Sequence, residues 1–297
     1  MSGITIVTGA TGRLGQRVVR RLLERKERVR VLTRRPQDAA RLWGDRVELA
    51  AGDFAEPSRL PAVFSGAERL FLLSPIGERL AAYQNGAIDA AVAAGIGRIV
   101  KISGSDWTIE NADRSVSGAA HAEVEAHLKR SGVPHVAIRP NAWMQVSLAP
   151  VVAAAARGEH LPVRYGGAAV SYIDAEDIAE VAVHALLAEK LIDGPLVLTG
   201  GEALTAVDIA RIAAGVLKRP LALSETAHAG VPPHLAAFER RAIAEFIELM
   251  VEGLAASVTD TVKRLTGRPP RSAERFLANQ FASASPLKVS TGEKTWH

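Results

Sequence analysis

The sequence predicts an α/β fold, a doubly wound parallel sheet with a smaller, mainly helical C-terminal lobe. Three observations carry this. Short apolar runs alternate with helix-patterned stretches through the first half of the chain, as strands do when crossover helices join them. The first such run ends in three glycines spaced three apart, Gly9, Gly12 and Gly15, with a helix pattern directly behind them. After Pro140 the alternation weakens and helical patterns dominate.

Taken in order, "ITIVTG" reads as a strand and residues 13–27 as a helix; "RVRVLTR" is a second strand. A short helical stretch around Asp38–Leu42 leads to a third strand, "VELAAGD", and "AERLFLLSP" is a fourth. An alanine-rich helix over 79–95 stops at Gly95, and "RIVKISGSD" is a fifth strand. A helix over 118–131 closes at Gly132 before a sixth, "HVAIRP". In the second half, "SYIDAEDIAEVAVHALL" reads as a short strand and then a helix capped near Asp174, and "GPLVLTGG" as a further strand. Residues 205–218 and 234–265 read as helical, and 282–297 as a polar, extended tail. Phe238, Phe246 and Met250, at helical spacing, suit a core or a subunit interface.

Composition narrows the function. The 297 residues carry 36 Lys/Arg against 32 Asp/Glu, a formal charge of +4, which suits an anionic ligand. There is no cysteine. Disulfides, thiol catalysis and cysteine metal sites are excluded, and a cytoplasmic location is the expectation. No leader is read at the N-terminus, and the apolar runs are too short to span a bilayer. His127, His135, His160, His184, His228, His234 and His297 show no ligand spacing with acids, so no metal is expected. Residues 13–35 hold ten Lys/Arg against Glu24 and Glu27. Without interleaved aromatics this basic run reads as a solvated helix face beside the glycine turn rather than a nucleic-acid surface.

A strand, then G-x-x-G-x-x-G, then a helix is the setting a phosphate-binding turn needs. Gly9 permits the turn, Gly12 lets the backbone approach a pyrophosphate, and Gly15 lets the helix pack on the strand. Thr11, Arg13 and Leu14 lie in the same turn, and the helix start offers free N–H groups and a positive dipole end. A cofactor read through a free ribose 2′-hydroxyl wants an acid at the end of the second strand. Here stand Arg34 and Arg35, whose forked donors suit a 2′-phosphate, so NADP(H) is expected over NAD. Asp53 and Phe54 end the third strand and suit adenine, although Asp53 also reads as a helix cap. Leu73, Ser74 and Pro75 end the fourth strand, and Ser103 and Gly104 the fifth, at the carboxyl edge where such folds bind ligands.

These residues resemble the atypical short-chain dehydrogenase/reductase superfamily, and within it the NmrA-like branch. The resemblance rests on "TGATGRLG", "GDFAEPSRL", "AAVAAGIGRIVKIS", "HAEVEAHLKRSGVPHVAIRPNAWMQ", "SYIDAEDIAEVAVHAL" and "LTGGEALTAVDIARIAAGVLKRP". The late "VTDTVKRLTGRPPRSAERFL" is similar to bacterial NmrA-like quinone and dye reductases. It implies an NADP(H)-binding Rossmann domain over 1–150, remaining Rossmann strands plus a substrate lobe over 151–281, and the tail.

The family's Tyr-x-x-x-Lys pair is absent: Ser117 falls in the tyrosine place and His121 in the lysine place. His121 is the candidate to hold ribose, donate a proton or bind substrate, with Ser117 beside it; the plain alternative is a buried histidine bonded to Glu125 one turn on. Asp106, Trp107, Asn141, Trp143 and Met144 follow the fifth and sixth strands and are expected to wall a pocket for a flat apolar acceptor. The expected activity is hydride transfer from NADPH to a quinone, enone, imine or dye-like small molecule. The competing expectation is a non-enzymatic NADP(H) sensor. Neither nucleic acid nor membrane is an expected partner, and a homodimer stays open.

Overall fold

A computed structural model of the chain describes residues 3–224, 231 and 234–284. Strands β1 (Ile4–Val7), β2 (Val29–Thr33), β3 (Glu48–Ala51), β4 (Ala67–Leu72), β5 (Arg98–Ile102) and β6 (His135–Pro140) come from the first half, and β7 (Leu161–Pro162), β8 (Leu196–Leu198) and β9 (Leu223–Ser224) from the second. Seven of them make one sheet in the order β3-β2-β1-β4-β5-β6-β8, every pair parallel. β7 and β9 form a separate small parallel pair. The order reverses between β1 and β4, which leaves a crevice at their carboxyl ends.

Helices α1 (Arg13–Glu24), α2 (Pro36–Trp43), α3 (Leu60–Phe64), α4 (Leu80–Ala93), α5 (Asp106–Glu110) and α6 (Val116–Ser131) alternate with the first strands. Then come α7 (Met144–Ser147), α8 (Ala149–Arg157), α9 (Ala175–Leu187), α10 (Ala206–Leu217), α11 (Ala237–Val251), α12 (Thr261–Thr266) and α13 (Ala273–Ala284). α1 presents Leu14, Val18, Val19 and Leu22 to one face of the sheet, where they pack with Val7, Val31, Val100 and Ile138 and with Ile178 and Val181 of α9. Each such side chain contributes about 1.5–3 kcal/mol by leaving water. The opposite face packs Ile6, Leu70 and Ile99 against Ile88 of α4 and Val124 and Leu128 of α6. Alternation along β5 therefore sends Ile99 and Lys101 toward α6, and Val100 and Ile102 toward α9.

A third core belongs to the lobe, where Met144, Leu148, Tyr172, Ile209, Met250 and Leu277 meet Trp107. The chain enters this lobe after β6, returns to the sheet for α9 and β8, and leaves again. Among the described residues no helix is long and apolar enough to cross a membrane.

Three expectations are corrected. The short strand before α9 reduces to a single bridge between Ile173 and Trp143, just beyond the end of β6. The helix expected over 234–265 breaks at Gly253, whose φ of +86° ends α11. Residues 282–284, assigned to the tail, continue α13 because Phe276, Leu277 and Phe281 anchor it in the lobe core. The rest of the tail, 285–297, together with His228 and His297, lies outside the described residues.

Candidate functional site

A cleft of about 600 Å³ opens over the carboxyl ends of β1 to β4. The glycine turn forms its floor. Gly9 has φ +64°, a left-handed conformation that glycine reaches without strain. At Gly15, an added Cβ would stand 2.1 Å from the Gly9 carbonyl oxygen, so this glycine is what lets α1 close on the turn. Gly12 differs. Its φ of −83° is ordinary, and a Cβ there would meet only the Gly9 oxygen at 3.2 Å. No side chain caps α1 and no acid stands in its first turn, so the helix start keeps its N–H groups and positive dipole end for an anion.

Gly9, Thr11, Gly12, Arg13, Leu14, Arg34, Arg35, Asp53, Phe54, Leu73, Ser74, Pro75 and Trp143 all line this cleft. Gly15 does not; its part is the close helix packing. Their side chains are committed to different degrees. Arg13 donates to the Gln145 carbonyl at 3.0 Å and Arg35 pairs with Asp38 at 3.2 Å. The Arg34 guanidinium has no hydrogen bond or ion pair among the described residues, which leaves its fork available. Asp53 caps no helix; one of its oxygens accepts the Ala55 N–H at 3.0 Å in a local turn. Thr8 accepts the Leu73 N–H at 2.8 Å and stitches β1 to β4 at the crevice. Gln84 donates to Ser74 at 2.8 Å and holds the loop after β4.

That loop and the first turn of α4 carry cleft residues that the sequence did not single out: Ile76, Gly77 and Arg79 in the loop, Leu80 and Tyr83 in the helix. Arg79 lies over the Tyr83 ring, 4.8 Å from its centre. The same switch-point argument that selected Ser74 and Pro75 extends to them, since the loop continues along the cleft wall.

Ser103, Gly104, Ser117 and His121 do not line the cleft. They gather one strand further along, at the end of β5, where Leu72 is registered beside Lys101. Lys101, not singled out by sequence, is wholly buried here. Its Nζ reaches His121 Nδ1 at 2.9 Å, Ser103 Oγ at 3.0 Å and the Ile102 carbonyl at 3.3 Å. Ser103 in turn donates to Glu125 at 2.5 Å. Arg139 clamps Glu125 and donates to Asp106 at 2.7 Å. A lone charge inside an apolar parallel strand was the available signal.

Electrostatics follow from burial. Desolvation brings the Lys101 ammonium down to about 7. Burial, and then the Lys101 charge, hold His121 well below its ordinary range. Burial alone would raise Glu125, but hydrogen bonds from Arg139 and Ser103 outweigh it and keep the carboxylate ionised. His121 is thus a neutral imidazole that leans on Lys101 rather than on Glu125. Ser117 sits in the first turn of α6, 3.3 Å from the Ser115 hydroxyl that caps the helix.

The residues expected to wall an acceptor pocket fall in three places. Trp107 donates to Asn141 at 2.9 Å, and Asn141 donates to Ser171 at 2.6 Å and to the Ala255 carbonyl at 2.9 Å. Met144 is buried in the same core, and Asp106 is held by Arg139. Trp107, Asn141 and Met144 thus belong to the lobe core behind the ends of β5 and β6, and Asp106 to the Arg139 cluster. Of the five, Trp143 faces the cleft.

The chain matches the model of the NmrA-like family over residues 1–249. It is 31% identical over 288 residues to an NAD(P)H azoreductase of Xenophilus azovorans, covering 94% of this chain and 98% of that one. It is 32% identical over 296 residues to the (4-alkanoyl-5-oxo-2,5-dihydrofuran-3-yl)methyl phosphate reductase of Streptomyces griseus, covering 95% and 99%. Among solved structures, an NADPH-dependent quinone oxidoreductase of Escherichia coli in complex with NADPH shares the fold, with a TM-score of 0.81 over 94% of this chain and 99% of that one at 22% identity. Glycine turn, strand order and full-length similarity agree, and the chain belongs to the NmrA-like family.

Proposed function

We propose that this chain is an NADPH-dependent reductase that passes hydride to a small, flat, apolar acceptor of the quinone, azo, enone, imine or dye type. The carrying observation is the cleft itself: an uncapped glycine turn on its floor and an uncommitted Arg34 on its wall, at the strand-order reversal. Full-length relatives named as reductases support the same reading.

The residues present fit NADP(H). Gly12 leaves the floor bare where a pyrophosphate approaches, and the first N–H groups of α1 with Thr11 would hold it. Arg34 would take the 2′-phosphate by a forked contact. Asp53 and Phe54 would flank adenine, and Leu73, Ser74 and Pro75 would carry the chain of contacts toward β5. When bound, this cofactor supplies the hydride. The protein supplies position: Trp143, Ile76 and Pro75 give the cleft wall apolar surface on which a flat acceptor would pack. With serine in the tyrosine place, proton supply falls to the neutral His121 or to water.

The test is NADPH oxidation against a panel of quinones, azo compounds, enones, imines and triarylmethane dyes, with NADPH affinity measured in parallel by calorimetry. Turnover with at least one class is expected. Tight NADPH binding with no turnover across the panel would assign the chain to the sensor reading instead.

A further inference from the structure

Lys101 lies in the middle of the parallel sheet, and among the described residues no carboxylate is in direct contact with it. Ile99, Val100 and Ile102 around it are apolar and buried. The charged and titratable groups facing it are His121 and Glu125 from α6 and Arg139 from β6, the last shared with Asp106 of α5. Arg139 already answers Glu125 and Asp106. A methionine would fill the same space without the desolvation penalty of an ammonium, so packing alone does not explain a lysine here.

The hydrogen bonds have a direction. An ammonium has N–H donors and no acceptor. Its bond to His121 therefore uses the Nδ1 lone pair, and a neutral ring accepting at Nδ1 carries its proton on Nε2. Nε2 makes no hydrogen bond among the described residues. The ring lies under the end of β5: a Cβ on Gly104 would come within 3.0 Å of His121 Cδ2. The bare backbone of Gly104 thus brings the ring to the carboxyl edge, one strand from Leu73 and Ser74 of the cleft wall.

We propose that Lys101 is the proton reservoir of this site and acts through His121. The inference rests on the reductase reading above. After the acceptor has taken hydride, its oxygen or nitrogen carries the excess electron pair. That atom forms a bond to hydrogen as His121 Nε2–H breaks. Nδ1 gains a proton as Lys101 Nζ–H breaks. The ring stays neutral and only changes tautomer, and the amine recovers its proton from water through the reverse exchange. No electrons move in this step beyond the hydride already delivered by the nicotinamide. Burial makes the ammonium a stronger acid, so its proton is available near neutral pH and exhausted above.

The experiment has two arms. In the unliganded chain, nitrogen NMR of labelled histidine should show His121 as the neutral Nε2–H tautomer from about pH 6 to 9. Its shifts should step near pH 7 in the parent and not in Lys101→Met. A protonated His121 titrating in the ordinary range, or the Nδ1–H tautomer, overturns the couple. In the kinetic arm, kcat with the best acceptor should fall above about pH 7. Lys101→Met should lower it about 10²-fold and abolish that inflection, while the NADPH Kd stays within about twofold. A structural lysine would lower Tm and leave the inflection in place, and that result refutes the proposal. Should Lys101→Met fail to fold, His121→Gln must abolish the same inflection; if it does not, the proposal is refuted. Absence of turnover by the parent with every acceptor overturns the reductase reading, and the NMR arm then decides on the Lys101–His121 couple by itself.

Discussion

One methyl group added at either of two glycines, three residues apart, should separate folding from binding. In Gly15→Ala the new Cβ would stand 2.1 Å from the Gly9 oxygen, 2.6 Å from the Gly9 carbonyl carbon and 2.7 Å from Ala10 Cα. All three are backbone atoms of a turn whose conformation Gly9 holds at φ +64°, so none can swing aside. α1 must retreat by about an ångström or more, loosening Leu14 and Val18 from the sheet. Overpacking of this kind costs about 1–3 kcal/mol, and a severe backbone clash belongs at or beyond the upper end. Alanine gains back up to about 1 kcal/mol in a helix relative to glycine. The clash therefore wins, with a net loss of about 1–3 kcal/mol, or a Tm lowered by about 2–10 °C. In Gly12→Ala the same atom meets only one oxygen, at 3.2 Å, and the backbone conformation is open to any residue. A cap changed from glycine to alanine costs about 0.5–1 kcal/mol, so Tm should fall by about 1–2 °C. The methyl would, however, occupy the cleft floor and weaken NADPH at least about tenfold, about 1.4 kcal/mol. Thermal unfolding and calorimetric titration of both variants read the two effects. Equal Tm losses, or a Gly12→Ala protein that binds NADPH like the parent, would refute the reasoning.

Arg34→Ala should weaken NADPH at least about tenfold and leave NADH nearly unchanged, whereas Arg35→Ala, whose partner is already Asp38, should do less; equal losses for both cofactors in calorimetry would remove Arg34 from the 2′-phosphate. Lys101 should also show in stability against pH. Its ordinary value of 10.5 falls to about 7 on folding, so between these values the unfolded chain holds a proton that the folded chain has shed, and the parent gains stability as pH rises through that window. The whole difference amounts to about 5 kcal/mol. The advantage of Lys101→Met in urea unfolding should be largest at and below about pH 7 and shrink toward about pH 10, and a pH-independent difference would count against the buried charge. Trp107→Phe keeps the ring packed on Phe246, whose centre is 4.7 Å away, and loses the hydrogen bond to Asn141. It should lower stability by about 1 kcal/mol with acceptor KM unchanged; a raised KM would return Trp107 to the acceptor wall.

The sequence by itself determined what is local. The strand, glycine turn and helix at the start are written within a few residues, because left-handed φ and close helix approach are properties of single glycines. Alternation of strands and helices announced the sheet, and the strand-end rule placed Arg34, Asp53 and Ser74 on one edge, since parallel strands bring their carboxyl ends together. The tertiary structure decided what is assembled from afar. Lys101, Ser103, Asp106, His121, Glu125 and Arg139 come from β5, its following loop, α5, α6 and β6, and no spacing in the chain couples them. Burial decides the protonation of Lys101 and His121, which periodicity reads only in part: the sequence pointed to histidine as the titrating group, yet desolvation keeps His121 neutral and brings Lys101 down to about 7. The placement of Trp107 and Asn141 has the same origin, because a residue beyond a strand end faces a cleft or a lobe core according to where the lobe docks.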